Sequence, residues 1–243
     1  MSASDAVVGH LGAPGSGKTW RLKWRVASAV RMGWHRGGGR IVVADVKREW
    51  PRGEVDPPRT PLTSGARVEM GRMTGRVPRV DAELPPLTIC RPRTGASADE
   101  VRAWFDALCR FALDRRRVVL VAPEVWRYAR ESERMVPALE ELAHEHRHRH
   151  VSLWFDTQDF ASTKKELLKR AGWFMLHGTA AHEDLTYLRK LGGPQLPDAV
   201  QGAMHLNRER GAGHFVVFNT AHPLPPYQVI GPDGVTVVSP GRA

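Results

Sequence analysis

"GAPGSGKTW" occupies residues 12–20, directly behind the apolar run "AVVGHL" at 6–11. Gly12-x4-Gly17-Lys18-Thr19 is a complete Walker A pattern in its required setting, a strand before and a helix after. The glycines let the backbone curl so that several N–H groups point into one hollow. That hollow opens on a helix N-terminus, whose dipole favours anions. Gly12, Ala13, Pro14, Gly15, Ser16 and Gly17 are therefore candidate phosphate ligands, together with Lys18, which reaches the β- and γ-phosphates. Thr19 is the candidate metal ligand, offering its hydroxyl to Mg²⁺. No NKxD-type segment for guanine is present, so ATP is the expected nucleotide.

Working outward, residues 17–32 carry a helical pattern with Leu22, Val26, Ala29 and Val30 on one face. "GGGR" breaks it, and "RIVVADV" at 40–46 is a second strand, which completes a β–loop–α–β unit. Residues 51–86 are rich in Pro and Gly and read as an insertion with room for a short hairpin. "LTIC" is a strand, and Ser97 with Glu100 forms a capping box for the next helix. Strands follow at 118–122 and 151–158, with a helix between them at 136–146. The helix "KKELLKRA", the strand "WFMLHG" and the helix "HEDLTYLRKLG" come next, then strands at "HFVVF" and "VTVV". The alternation predicts one α/β domain over residues 1–243, doubly wound or RecA-like, with a mostly parallel central sheet flanked by helices.

The 243 residues carry a formal charge of +10, with arginine far outnumbering lysine. A surplus of this size attracts polyanions. Cys90 and Cys109, the only cysteines, have neither CxxC spacing nor the density of a disulfide scaffold. No apolar run approaches the roughly 18 residues that suggest a bilayer span, and the N-terminus lacks a secretory layout. A soluble intracellular protein is the expectation.

Hydrolysis needs an acid at the end of a second core strand. "VVLVAPE" supplies Glu124 as general base, but Pro123 stands where the Mg²⁺-partner Asp is expected. Asp45 or Asp156, each at a strand end, can substitute; alternatively Thr19, phosphates and water suffice and turnover is slow. Gln158, closing "DTQ", suits a sensor that bonds the γ-phosphate or attacking water. In "HEHRHRH", His144 and His148 have i,i+4 spacing, but no clear third ligand accompanies them.

Together "GAPGSGKT", "IVVADVKREWP", "VVLVAPE" and "RHRHVSLWFDTQ" followed by "ELLKRAGWFMLHGTAAHEDLTYL" resemble the FtsK–HerA superfamily of P-loop DNA-pumping ATPases. The compact size is similar to its viral genome-packaging members. The resemblance implies a homo-oligomeric ring, commonly a hexamer, that binds ATP with Mg²⁺ at subunit interfaces and moves double-stranded DNA. It implies capsid or vertex proteins as partners and a place in the host cytoplasm or the virion; no membrane insertion is expected, since no apolar run is long enough. It also implies an arginine reaching a neighbour's γ-phosphate: Arg147 matches that position, with Arg149 the alternative. Channel-facing loops have two candidates: Arg67, Arg72, Arg76 and Arg79, or Lys164 and Lys165. Two other functions compete with a motor. One is an ATP-gated assembly or adaptor protein with little turnover, which Pro123 favours. The other is a nucleotide or small-molecule kinase.

Overall fold

The computed structural model describes residues 6–50, 70–158, 160–211, 213–221, 227–231 and 236–238. Arg67 and most of the proline-rich stretch lie outside them.

Among the described residues, ten strands form one sheet. In chain order they are β1 (Val7–Leu11), β2 (Arg40–Ala44), β3 (Met70–Thr74), β4 (Leu87–Arg91), β5 (Val118–Ala122), β6 (Val151–Thr157), β7 (Trp173–Leu176), β8 (Phe215–Asn219), β9 (Val229–Ile230) and β10 (Thr236–Val238). Their spatial order is β10-β9-β8-β7-β1-β6-β5-β2-β4-β3. The strands from β7 to β3 in that order pair in parallel, and β8, β9 and β10 add an antiparallel extension beside β7. The core order β7-β1-β6-β5-β2 is the RecA-like arrangement, which places the P-loop strand between two later strands. This is a P-loop NTPase fold.

The helices are α1 (Lys18–Arg31), α2 (Ala98–Arg115), α3 (Pro137–Arg149), α4 (Lys165–Arg170), α5 (His182–Gly192) and α6 (Gln195–Arg210). Successive strand residues point to opposite faces, and the core divides accordingly. Val8, Ile41, Val43, Val119, Val121 and Trp154 pack beneath α1 through Leu22, Val26, Ala29 and Val30. Val42, Ala44, Leu120, Leu153 and Phe155 share a cluster with Phe105 and Leu108 of α2 and Leu139 and Leu142 of α3. Burial on both faces explains why the central strands read as unbroken apolar runs rather than alternating ones. Each fully buried Leu or Phe contributes about 2 kcal/mol.

Local signals account for much of the frame. Ser97 Oγ accepts from Glu100 N–H at 3.2 Å while Glu100 Oε2 accepts from Ser97 N–H at 2.7 Å, so the capping box starts α2. Of the insertion expected at 51–86 with room for a short hairpin, residues 51–69 lie outside the described ones; in the described part, β3 pairs in parallel with β4 at the sheet edge. Helix α6, with Pro197 and Gly202 inside it, was not evident from sequence; Pro197 falls in its first turn, where a missing N–H costs nothing.

Candidate nucleotide site

The P loop leaves β1 at the C-terminal edge of the parallel strands, where α/β folds place their ligand crevices. Gly17, at φ 87°, turns the chain into α1 through the left-handed region, which a residue with a Cβ enters at a cost. Gly12 is required for another reason: a Cβ there would stand 2.7 Å from Ser16 Oγ and 2.9 Å from His177 Cβ. The first turn of α1 has neither a side-chain cap nor an acidic residue. Its N–H groups are available to an anion. Lys18 Nζ bends back to donate to Ala13 O at 3.3 Å. Burial lowers its pKa, opposed by the Asp156 and Glu124 carboxylates.

Beside the P loop lie the ends of β5 and β6. Ala122 pairs with Phe155, so Pro123 and Asp156 are the next residues on each strand. One strand across from Pro123, a carboxylate therefore stands level with the position where the acid is missing. Asp156 Oδ2 accepts from Thr19 Oγ1 at 2.9 Å, and its Oδ1 accepts from Glu124 N–H at 2.7 Å. Burial raises the pKa of Asp156, and these two donors oppose the rise.

Asp45, the other candidate from sequence, is committed elsewhere. Its oxygens accept from the backbone N–H groups of Glu49 and Trp50 and from Arg91 Nε. It caps the loop after β2, its oxygens engaged there rather than by the Thr19 hydroxyl.

Glu124 follows Pro123 in the left-handed region, at φ 54° and ψ 49°. For a non-glycine residue this costs about 1–2 kcal/mol. The bond from its N–H to Asp156 and three side-chain contacts hold it there. Gln158 Nε2 donates to Glu124 Oε1 at 3.0 Å, Arg127 Nε donates to Oε2 at 2.9 Å, and Lys47 Nζ forms an ion pair with Oε1. Burial pushes the Glu124 pKa up, but hydrogen bonds from Lys47 and Arg127 outweigh it and hold the group below its usual range.

A hollow beside these groups is lined by Thr19, Asp45, Lys47, Glu49, Glu124 and Arg127, among others. The structure therefore brings Lys18, Thr19, Glu124 and Gln158 together. A magnesium ion favours hard oxygen donors, several waters and substrate phosphates over an all-protein cage. The Thr19 hydroxyl, oriented by the buried Asp156 carboxylate, fits that demand. No group of three or more His, Cys, Asp or Glu residues suited to a metal occurs among the described residues.

Arg147 stands apart. It is exposed near the C-terminal end of α3, which leads into the first residue of β6, whereas the P loop lies at the last-residue edge. It takes no part in its own chain's site. His144 Nε2 lies 3.6 Å from Glu166 Oε1 of α4. The Lys164 ammonium donates to the Glu131 and Glu133 carbonyls, and the Lys165 ammonium to those of Phe160, Ala161 and Thr163. Those two lysines stitch their loop rather than project from it. Arg72, Arg76 and Arg79 are exposed on β3 and the segment after it.

Four residues at the site escaped sequence reading. Lys47 and Arg127 clamp Glu124. Asp184 fastens the loop after Gln158 by accepting from Ala161 N–H at 3.0 Å. His177 is fully buried beneath the P loop, its Cβ against Gly12. Lys47 lies within "IVVADVKREWP", and His177 and Asp184 lie within "ELLKRAGWFMLHGTAAHEDLTYL", but nothing in those stretches singles them out, and Arg127 follows "VVLVAPE" with no mark of its own.

No family model matches the sequence, and no curated protein matches it. Solved structures do. The genome packaging NTPase B204 from Sulfolobus turreted icosahedral virus 2, in complex with AMPPCP, aligns with a TM-score of 0.67 at 14% identity, covering 93% of this chain and 96% of that chain. Its complex with ATP-gammaS gives 0.66 and 14%, covering 94% and 98%. B204 described as the DNA-packaging ATPase from Sulfolobus turreted icosahedral virus gives 0.62 and 15%, covering 94% and 98%. The likeness runs over nearly the whole of both chains and establishes the shared fold. No helix among the described residues is long and apolar enough to cross a membrane.

Proposed function

We propose that this chain is an ATP-hydrolysing motor of the FtsK–HerA type that moves double-stranded DNA, in the manner of a viral genome-packaging ATPase. One observation carries the reading: Glu124 and Gln158, at the ends of adjacent strands, meet beside a P loop whose Thr19 is bonded to a buried carboxylate. The full-length likeness to a protein described as a genome packaging NTPase supports it.

The chemistry follows from the residues. The P-loop backbone and Lys18 hold the triphosphate, and Lys18 exchanges Ala13 O for phosphate oxygen. Glu124 takes a proton from water as the water oxygen bonds to the γ-phosphorus. The bond from that phosphorus to the bridging oxygen breaks, and ADP keeps the electron pair. Gln158 aligns the carboxylate through its amide N–H and offers its own oxygen to the water. Mg²⁺, bound through the Thr19 hydroxyl and the phosphates, would neutralise charge on the transferred group.

In a ring, Arg147 of one copy would reach the γ-phosphate of the next, with Arg149 as its neighbour in sequence. The exposed Arg72, Arg76 and Arg79 would meet the DNA backbone without reading its sequence. The charge of +10 supports a polyanionic partner. A ring of such copies would act in the host cytoplasm or on the virion, beside capsid or vertex proteins.

A second reading has its own observation. Both Glu124 oxygens are bonded to cations, and an occupied base turns over slowly. A nucleotide-binding adaptor would look the same. ATP hydrolysis measured with and without long double-stranded DNA separates the two. Strong stimulation, lost in Lys18→Ala and Glu124→Gln, is the motor's expected outcome. Nucleotide binding without DNA-stimulated turnover means the adaptor.

A further inference from the structure

The hollow at the end of β2 contains a cation that the phosphate-binding motif does not include. Lys47 lies on the loop between β2 and the described end at Trp50, and that loop is tightly tied. Asp45 accepts from the N–H groups of Glu49 and Trp50. Trp50 O accepts from Arg91 Nη2 at 3.0 Å, and Glu49 O from Lys23 Nζ at 2.6 Å. The Trp50 ring is buried. The backbone beneath Lys47 is therefore fixed, while its side chain is 39% exposed and tied at its tip by one ion pair.

That side chain now rests on Glu124 Oε1, the oxygen that also accepts from Gln158. Lys47 lines the same hollow as Thr19 and Glu124, and its charge is felt by Lys18. Two ammonium groups thus come within electrostatic reach of Glu124, Lys18 from the P loop and Lys47 from the loop after β2.

We infer that Lys47 is a second phosphate-binding lysine of this site, which leaves Glu124 for the γ-phosphate when a triphosphate binds. The inference rests on the nucleotide-binding reading above and deepens it. A terminal phosphate brings up to two negative charges against one on the carboxylate, so the stronger partner draws the ammonium. A diphosphate has no group at that place and leaves the lysine on the glutamate. The same exchange bares Glu124 Oε1 for a water proton, so the base is freed when there is a γ-phosphate to cleave. Arg127 stays on Oε2 and keeps the carboxylate aimed.

Removing Lys47 from the wild type would confuse two effects, because an unneutralised Glu124 also repels the triphosphate. The test is therefore made in the Glu124→Gln chain, with ATP and ADP affinities measured by calorimetry on the full-length protein. Adding Lys47→Ala to Glu124→Gln is expected to weaken ATP about tenfold, the scale of one charge-assisted phosphate contact, and to leave ADP unchanged. Lys47→Arg in the same background is expected to retain most of the ATP affinity. An ATP affinity insensitive to Lys47→Ala once Glu124 is neutral would overturn the inference, since the lysine then serves the glutamate alone. Equal losses for ATP and ADP would overturn it too, because they mark damage to the loop. If Glu124→Gln by itself binds neither nucleotide, the nucleotide-binding reading falls first.

Discussion

The P loop has two flanks, and they are built from opposite chemistry. Toward β6 and β5 lie Asp156, Glu124, Gln158, Lys47 and Arg127, each bonded to another member of the set. Toward β7 and α1 lie His177, His10, Arg21 and Arg25. His10 and His177 stack at 5.8 Å, fully buried, and neither nitrogen of the His10 ring has a hydrogen-bond partner among the described residues. Arg21 sits 4.1 Å from the Trp24 ring and 4.5 Å from that of Phe215, and Arg25 lies 4.5 Å from that of Trp154.

Burial lowers the pKa of both histidines, that of His177 to about 3. Arg21 and Lys18 push His177 the same way, and only the backbone of Ser16 favours its charged form. Both rings are neutral at physiological pH. One flank therefore offers charges that can change partners when a phosphate arrives. The other offers neutral rings packed against aromatic and cationic groups, a fixed wall. A binding loop needs both, since partner exchange on one side does useful work only if the other side does not give way.

The comparison breaks most visibly at Glu124. Glu124→Gln keeps the shape and the Gln158 contact but removes the carboxylate proposed as proton acceptor. Steady-state hydrolysis is expected to fall by about 10²–10⁴-fold, with ATP binding retained in equilibrium titration. A loss of less than tenfold would assign the base elsewhere.

Asp156→Asn comes next. It keeps one acceptor but loses the charge that orients Thr19 and receives the Glu124 N–H. Turnover at limiting magnesium is expected to fall about 10–100-fold, the scale seen for groups that orient a metal ligand. Asp45→Asn is expected instead to lower thermal stability, because it weakens the Arg91 ion pair that anchors the β2 loop.

The smallest effect belongs to the fixed wall and appears only with pH. The His177 pKa is about 3 in the folded chain against 6.5 as the ordinary value. The unfolded chain then binds a proton below about 6.5 that the folded chain refuses. Stability from this group is full above that pH and is lost as pH falls, at about 1.4 kcal/mol per pH unit. Asp156, with its raised pKa, acts with the opposite sign in the acid range. His177→Phe keeps a ring beneath the loop and removes the proton site. Between pH 7.5 and pH 5, urea unfolding of this variant is expected to lose about 2 kcal/mol less than the wild type. Parallel declines would mean that His177 is not the buried neutral ring described.

Sequence alone determined the phosphate loop, the succession of central strands and helices, and the two strand-end candidates Glu124 and Gln158. These are local patterns: glycine spacing, apolar runs and capping residues act within a few positions of one another. Which acid replaces the one missing at Pro123 was open between Asp45 and Asp156, because both sit at strand ends. Strand order favours Asp156: β6 lies next to β1 and β2 does not, and it is Asp156 that accepts from the Thr19 hydroxyl. The clamp on Glu124 was invisible for the same reason, since Lys47 and Gln158 come from strands far apart in the chain. Helix α6 was hidden by the prolines and glycine around its start and within it, and packing against β8 and α5 overrides their weak propensity. Short-range chemistry is written along the chain; partnerships between strand ends exist only once the sheet has been ordered.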